Sequence, residues 1–181
     1  MSGQCSIRNT IFTPYFLYKM AIHKLDFDEF DEIDYHLVAI HTSLEDYRLA
    51  YFINQKLPIN LSANKDEIHI NIKEGETKFS RFYYYDKENE ISWNLIQNKN
   101  EVIQQKNESS QNLFSDINME VSTKVFLLPE FKKVDYFLKI ENIEDSMNIA
   151  KIQLLLNTIE NISTAYTVET NKIKSKNNLI F

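Results

Sequence analysis

Residues 30–37 read FDEIDYHL and residues 131–138 read FKKVDYFL. Phe30/Phe131, Ile33/Val134, Asp34/Asp135, Tyr35/Tyr136 and Leu37/Leu138 match in type. Each octet opens a β-rich run, YHLVAIHT in the first case and VDYFLKI in the second. Each run leads to a helical pattern with an acidic pair at its start, Glu45–Asp46 and Glu144–Asp145, where the helix dipole favours carboxylates. More strand follows each helix, so the order is βαβ, a β-rich middle, and βαβ again. A chain written this way is expected to fold as a ferredoxin-like duplicated βαβ sandwich of the α+β class. That fold is an antiparallel sheet with two helices on one face, here carrying an extra hairpin.

In that plan Tyr35 and Leu37, like Tyr136 and Leu138, share a face by the strand period of two and pack under the helices in two pseudo-symmetric halves. Asp34 and Asp135 face the other way or bind backbone N–H groups at the strand starts. The functional alternative is a twin site of two Asp–Tyr pairs. Antiparallel central strands would place those pairs at opposite ends of the sheet. The octets differ at Asp31–Glu32 against Lys132–Lys133. That difference makes an acidic and a basic corner: solvated surface, or a device that orients a partner or a second copy.

The remaining elements follow from periodicity and punctuation. AIHKLDF (21–27) alternates as a strand. Ser43 is the expected N-cap of LEDYRLAYFINQKL, whose apolar face collects Leu44, Tyr47, Ala50, Tyr51, Ile53 and Leu57 before Pro58. EIHINIK alternates Ile68, Ile70 and Ile72, and KFSRFYYYD with EISWNLIQNK reads as a hairpin turning at 87–89. Residues 100–118 are mostly polar and are expected to form an excursion or disordered insertion with a sticky pair, Leu113–Phe114. Pro129 ends or kinks VSTKVFLLPE, and VDYFLKI places Val134, Tyr136, Leu138 and Ile140 on one side. The domain boundaries expected are a leader or tail at 1–19, with Met20 as the start or the leader as an anchor; one α+β domain over 20–173; and a C-terminal tail at 174–181.

Composition excludes several function classes. The only glycines are Gly3 and Gly75, and phosphate-cradling loops need several at fixed spacing, so neither a Rossmann fingerprint nor a P-loop is present. A formal net charge of −6 argues against DNA and against any broad nucleic-acid surface. One cysteine, Cys5, precludes an internal disulfide framework and fits a reducing, cytoplasmic setting. No segment approaches 18 apolar residues, so no membrane span is expected.

The segment LPEFKKVDY (128–136) resembles the signature of the IPExxxVDY family of Bacteroidota proteins. Pro129, Glu130, Val134, Asp135 and Tyr136 match it, and Leu128 stands where the family has Ile. HKLDF followed by DYHLVAIHTSLEDYRLAYFIN looks like that family's N-terminal half. The resemblance covers roughly residues 20–170 and implies a cytosolic protein. It implies no activity, because the family is named for its letters.

Few residues are arranged for chemistry. His36 and His41 lie on opposite faces of one strand, and His23 and His69 have no partner at metal-ligand spacing, so no metal is expected. The dense carboxylates at 26–34 lack the order and glycine of a calcium loop. No Ser elbow or shielded carboxylate pair stands out, and no cofactor is expected; the chain reads as non-enzymatic. Two features remain. Phe79, Phe82, Tyr83, Tyr84, Tyr85 and Trp93 lie on one hairpin with Arg81 among them. From these, Phe82, Tyr84 and Trp93 are candidates for stacking RNA bases. MNIAKIQLLLNTIENI is apolar over more than half its girth, which makes Ile152, Leu155, Leu156 and Ile159 candidates for a partner interface. The expectation is a module that binds a protein partner or itself, with an accessory RNA-binding role as the alternative.

Overall fold

The computed structural model describes residues 35–72, 75–106, 119–143 and 148–181. The expected leader at 1–19, the strand at 21–27, the acidic stretch at 26–34 with Asp34, the pair Leu113–Phe114 and the pair Glu144–Asp145 lie outside them.

Strand β1 (Tyr35–Thr42) leads to helix α1 (Asp46–Lys56). A two-residue β2 (Ser62–Ala63) precedes a hairpin of β3 (Ile68–Ile72) and β4 (Gly75–Phe79). Two more hairpins follow, β5 (Arg81–Asp86) with β6 (Ile91–Gln97), and β7 (Lys99–Lys106) with β8 (Met119–Phe126). A turn of 3-10 helix, Pro129–Phe131, introduces β9 (Tyr136–Glu141), then α2 (Ile149–Leu156) and β10 (Ile162–Val168). Further 3-10 turns span Thr170–Lys172 and Lys176–Leu179. The main sheet has the order β10-β1-β9-β6-β5-β2, with neighbours antiparallel throughout; β3–β4 and β7–β8 are separate pairs. Among the described residues the fold is therefore mixed α+β, with two α-helices and an antiparallel main sheet.

The centre of the sheet is buried on both faces. Leu37, Val38, Ala39 and Ile40 are all 0% exposed, which is why β1 reads as a continuous apolar run rather than an alternation. On one face Val38, Ile40, Leu95, Leu138 and Ile140 pack with Leu49, Ala50 and Ile53 of α1 and with Ile152 and Leu156 of α2. On the other, Leu37, Ala39, Ile96 and Phe137 meet Ile68, Phe79, Val125, Leu127 and Leu128 from the small hairpins and the loop that follows them. A fully buried side chain of this size is worth about 1.5–3 kcal/mol, so both layers are stabilising cores.

The repeated octets are not equivalent in this sheet. Register pairs Val38 with Leu138 and Leu37 with Lys139. Residues directly opposite share a face. Tyr136 and Leu138 thus lie under the helices, whereas Leu37 and Tyr35 belong to the opposite layer. Within the described part of the octets, matching letters sit one residue out of phase. Val134 precedes β9 and joins the opposite layer too, not the side of Tyr136.

Other expectations are corrected locally. Helix α1 starts at Asp46 with Glu45 as N-cap, and Thr42, not Ser43, turns its hydroxyl back to accept from Leu44 N–H. Its buried stripe is Leu44, Leu49, Ala50, Ile53 and Leu57, while Tyr47 and Tyr51 point to solvent. KFSRFYYYD is two strands, broken at Ser80, because β4 pairs with β3 and β5 with β6. The polar run from residue 100 begins as strand β7, paired along its length with β8. Ladder bonds come from the backbone, which polar side chains do not advertise; Val102 packs inward and Ile103 faces solvent. Helix α2 is shorter than its apolar pattern. Asn148 caps its start by accepting from Lys151 N–H. At its end the Asn157 amide both accepts from and donates to the backbone of Ala165, at 2.8 and 2.9 Å, occupying part of the outer edge of β10.

Residues 174–181 are a packed part of the fold and not a loose tail. Leu179 is buried in the layer opposite the helices. Glu130 accepts the N–H groups of Lys174 and Ser175 and the Ser175 hydroxyl, at 2.7, 2.9 and 3.1 Å.

Candidate functional site

The face of the sheet away from the helices divides in two. Its β1 side is apolar and covered. Toward β5 the alternation that puts Phe82 and Tyr84 against the helices puts Arg81, Tyr83 and Tyr85 on this other face. Register brings Asn94 and Ser92 of β6 and Lys139 and Glu141 of β9 onto the same face. Tyr35 lies opposite Glu141 on β1. The result is a polar and aromatic half-face.

Its groups are bound into one network. Arg81 Nε donates to Asn94 Oδ1 at 2.9 Å, and Asn94 Nδ2 donates to Glu141 Oε2 at 3.2 Å. Lys139, only 4% exposed, pairs with Glu141 at 2.6 Å and donates to the Leu179 carbonyl at 2.7 Å. A buried ammonium needs such partners, because leaving it unpaired is costly. The centre of the Phe181 ring lies 4.2 Å from the Arg81 guanidinium carbon and 4.8 Å from Lys139 Nζ. Arg81 also lies 5.3 Å from the centre of the Tyr83 ring, and Lys139 5.1 Å from that of Tyr35. Cations over ring faces at these distances attract. Burial pulls the Arg81 pKa down from its ordinary value, opposed by the charge of Glu141. Burial, then Glu141, pushes Tyr35 up, and its buried hydroxyl has no hydrogen-bond partner among the described residues.

The family-like motif lies at the other end of β9. Asp135 Oδ2 accepts from Thr42 N–H at 3.0 Å, and Oδ1 pairs with Lys99 at 2.5 Å. Asp135 does bind a backbone N–H, but on β1 and not locally. Tyr136 donates its hydroxyl to the Leu44 carbonyl, and burial, then Asp46, Asp135 and Glu45, pushes its pKa up to about 12. Glu130 holds the 174–175 segment, Pro129 starts the 3-10 turn, and Val134 is core. Asn98 draws this loop together: its side chain accepts from Leu128 N–H and donates to the carbonyls of Phe131 and Val134, each at 2.9 Å. A cleft of about 120 Å³ opens among Thr42, Ser43, Gln97, Lys99 and Asp135, and one of about 250 Å³ among Asn100, Lys124 and Phe126 shares Lys99 with it. Glu130, Val134, Asp135 and Tyr136 of the motif each make a contact within the fold.

The sequence-based site residues are redistributed. Ile152, Leu156 and Ile159 are buried in the chain's own helix-side core, and Leu155 packs against it. The large apolar side chain that α2 exposes is Leu154, at 68%. A sheet face beneath the helix and Ile159 just beyond it consumed the wide apolar stripe. Trp93 is buried and Phe82 and Tyr84 pack on the same core, so these three form no open stacking platform. The aromatics that face away are Tyr83 and Tyr85, one strand position out of phase. His69 pairs with Glu76 at 2.5 Å, and His41 stacks on Tyr166. Among the described residues no group of three or more His, Cys, Asp or Glu is placed to hold a metal, and no helix is long and apolar enough to cross a membrane.

Sequence reasoning missed Lys139, Asn94, Glu141 and Phe181. One signal was available: Lys139 interrupts an otherwise apolar strand, and a lysine there must find a partner. The others required the register. No family model, curated protein or solved structure matches this chain.

Proposed function

We propose that this chain is a non-enzymatic interaction module of the cytoplasm that binds a protein partner, or a second copy of itself, through the polar and aromatic half-face. One observation carries the reading: the face already holds an aromatic side chain of a polypeptide segment, Phe181, against both Arg81 and Lys139. Aromatic and Arg side chains are the residues that dominate protein interfaces. Their positions are preset by Asn94 and Glu141, so little ordering is needed on binding.

The strand order β10-β1-β9-β6, with α1 following β1 and α2 joining β9 to β10, supports a ferredoxin-like core extended by β5 and β2. The phase shift between the octets counts against an exact internal duplication. The resemblance to the IPExxxVDY proteins belongs to the same reading, with its motif acting as the clasp that joins β9, Lys99 and residues 174–175.

A second reading, an accessory RNA-binding protein, draws on Tyr85, 41% exposed, and Tyr83 with Arg81 beside it. Bases stack on such groups. The test is affinity purification of the tagged full chain from its host, with and without nuclease, beside Arg81→Ala and Tyr85→Ala. A protein that survives nuclease and is lost with either variant supports the module. RNA that co-purifies and is lost with the same variants overturns it in favour of the second reading.

A further inference from the structure

Residues 179–181 differ from the segment before them in how they are held. At 174–178 the contacts are multiple: Glu130 on Lys174 and Ser175, and the Asn178 amide donating to the Leu127 carbonyl at 2.7 Å. At 179–181, Leu179 is buried and its carbonyl accepts from Lys139 at 2.7 Å, whereas Ile180 N–H reaches back only to the Asn177 carbonyl at 3.3 Å. Ile180 is 78% exposed, and the Phe181 ring, 41% exposed, is held by the two cations. Arg81, Asn94, Glu141 and Lys139 are joined by hydrogen bonds and an ion pair that do not run through Phe181.

Resting on the proposed function, we infer that residues 179–181 are an internal stand-in for the partner, competing for its site. The partner segment presents the same pattern. An aliphatic side chain enters the apolar layer where Leu179 is buried, and its carbonyl accepts from Lys139. The next residue faces solvent, as Ile180 does. An aromatic residue then stacks on Arg81. Because the competitor is tethered, its effective concentration is high, and a free segment binds only in proportion to the open fraction. In this inference 174–178 stays in place when 179–181 is displaced, because Glu130 and the Leu127 carbonyl hold it.

The experiment uses the full chain carrying Phe181→Ala and a fluorescent, amidated peptide of sequence SKNNLIF, read by anisotropy. Amidation removes the peptide's own carboxylate from the comparison. The peptide is expected to bind Phe181→Ala at least about tenfold more tightly than it binds the unaltered chain. A peptide ending in Ala is expected not to bind, and Arg81→Ala added to Phe181→Ala is expected to abolish binding. Thermal melts of each variant establish that it is folded. The NMR signal of Arg81 Nε–H gives a second readout: it shifts in Phe181→Ala and returns on peptide saturation. Equal binding of the two peptides, equal affinity for both chains, or no binding to folded Phe181→Ala overturns the inference. A cellular protein still captured in an Arg81-dependent manner would then leave the proposed function standing, whereas loss of both would remove the site itself.

Discussion

Under the helices, Val38, Leu138, Leu95 and Trp93 meet two apolar helix stripes, and the layer is apolar from α1 to α2. Across the same strands, Leu37, Ala39, Phe137 and Ile96 are covered by hairpins and loop, but further along β9 and β6 the layer turns into Lys139, Glu141 and Asn94, with Arg81 on the neighbouring β5. One face is a uniform core, and the other is half core and half polar network. The difference teaches where binding can be placed. A helix-covered face is already occupied by the chain's own side chains, whereas among the described residues the polar half is covered by the short segment ending in Phe181.

The comparison breaks first if the second layer is not a true core. Phe137→Ala and Leu138→Ala remove neighbours on opposite faces, both 0% exposed. Each is expected to cost about 3–5 kcal/mol in urea unfolding. A loss under about 1 kcal/mol for Phe137→Ala, in the range of surface changes, would mean that the hairpins do not pack there.

Next in size is the network. Glu141→Ala strands the Lys139 ammonium in a buried site and is expected to cost about 3 kcal/mol. Combining it with Lys139→Met should recover part of that loss, since no unpaired charge remains. If the double variant is as unstable as the sum of the singles, the pair is not coupled.

A smaller effect depends on pH. Burial raises the Glu130 pKa, but the N–H groups of Ser175, of Glu130 itself and of Lys174, with the Ser175 hydroxyl, outweigh it and hold the carboxyl below its ordinary value. A depressed folded pKa stabilises above the unfolded value and loses that contribution as pH falls through the folded one. Acid should therefore destabilise the unaltered chain more than Glu130→Gln, measured as the fall in melting temperature from neutral to low pH. Parallel curves for the two would show that Glu130 does not clasp 174–175.

Smallest is the helix surface. Leu154→Glu is expected to change stability by no more than about 0.5 kcal/mol and leave the elution volume in size exclusion unaltered. A shift in elution would return α2 to the role of interface.

Several elements are legible in the order of residues alone. The helical pattern ending at Pro58, the alternation of Ile68 and Ile70 and the hairpin turning at 87–89 lie where local periodicity places them. Arg81 among the hairpin aromatics is equally visible. The faces are not. Phe82, Tyr84 and Trp93 suggest a platform because they lie on one hairpin, but they point beneath the helices. Strand β7 is hidden by its polar side chains, and residues 174–181 read as a tail because their anchor, Glu130, lies 44 residues away.

The sequence by itself determined the two helical segments, each following a strand, the lack of glycine loops and the presence of enough apolar residues for a core. Those properties depend on neighbours along the chain or on composition. Only the tertiary structure decided which side of each strand meets the helices, that the octets are out of phase, and that Lys139, Glu141, Asn94, Arg81 and Phe181 form one network. A strand shows the same alternation whichever face is turned inward, and a shift of one residue exchanges the faces. That choice is made by pairing across the sheet, where Val38 meets Leu138 and Leu37 meets Lys139.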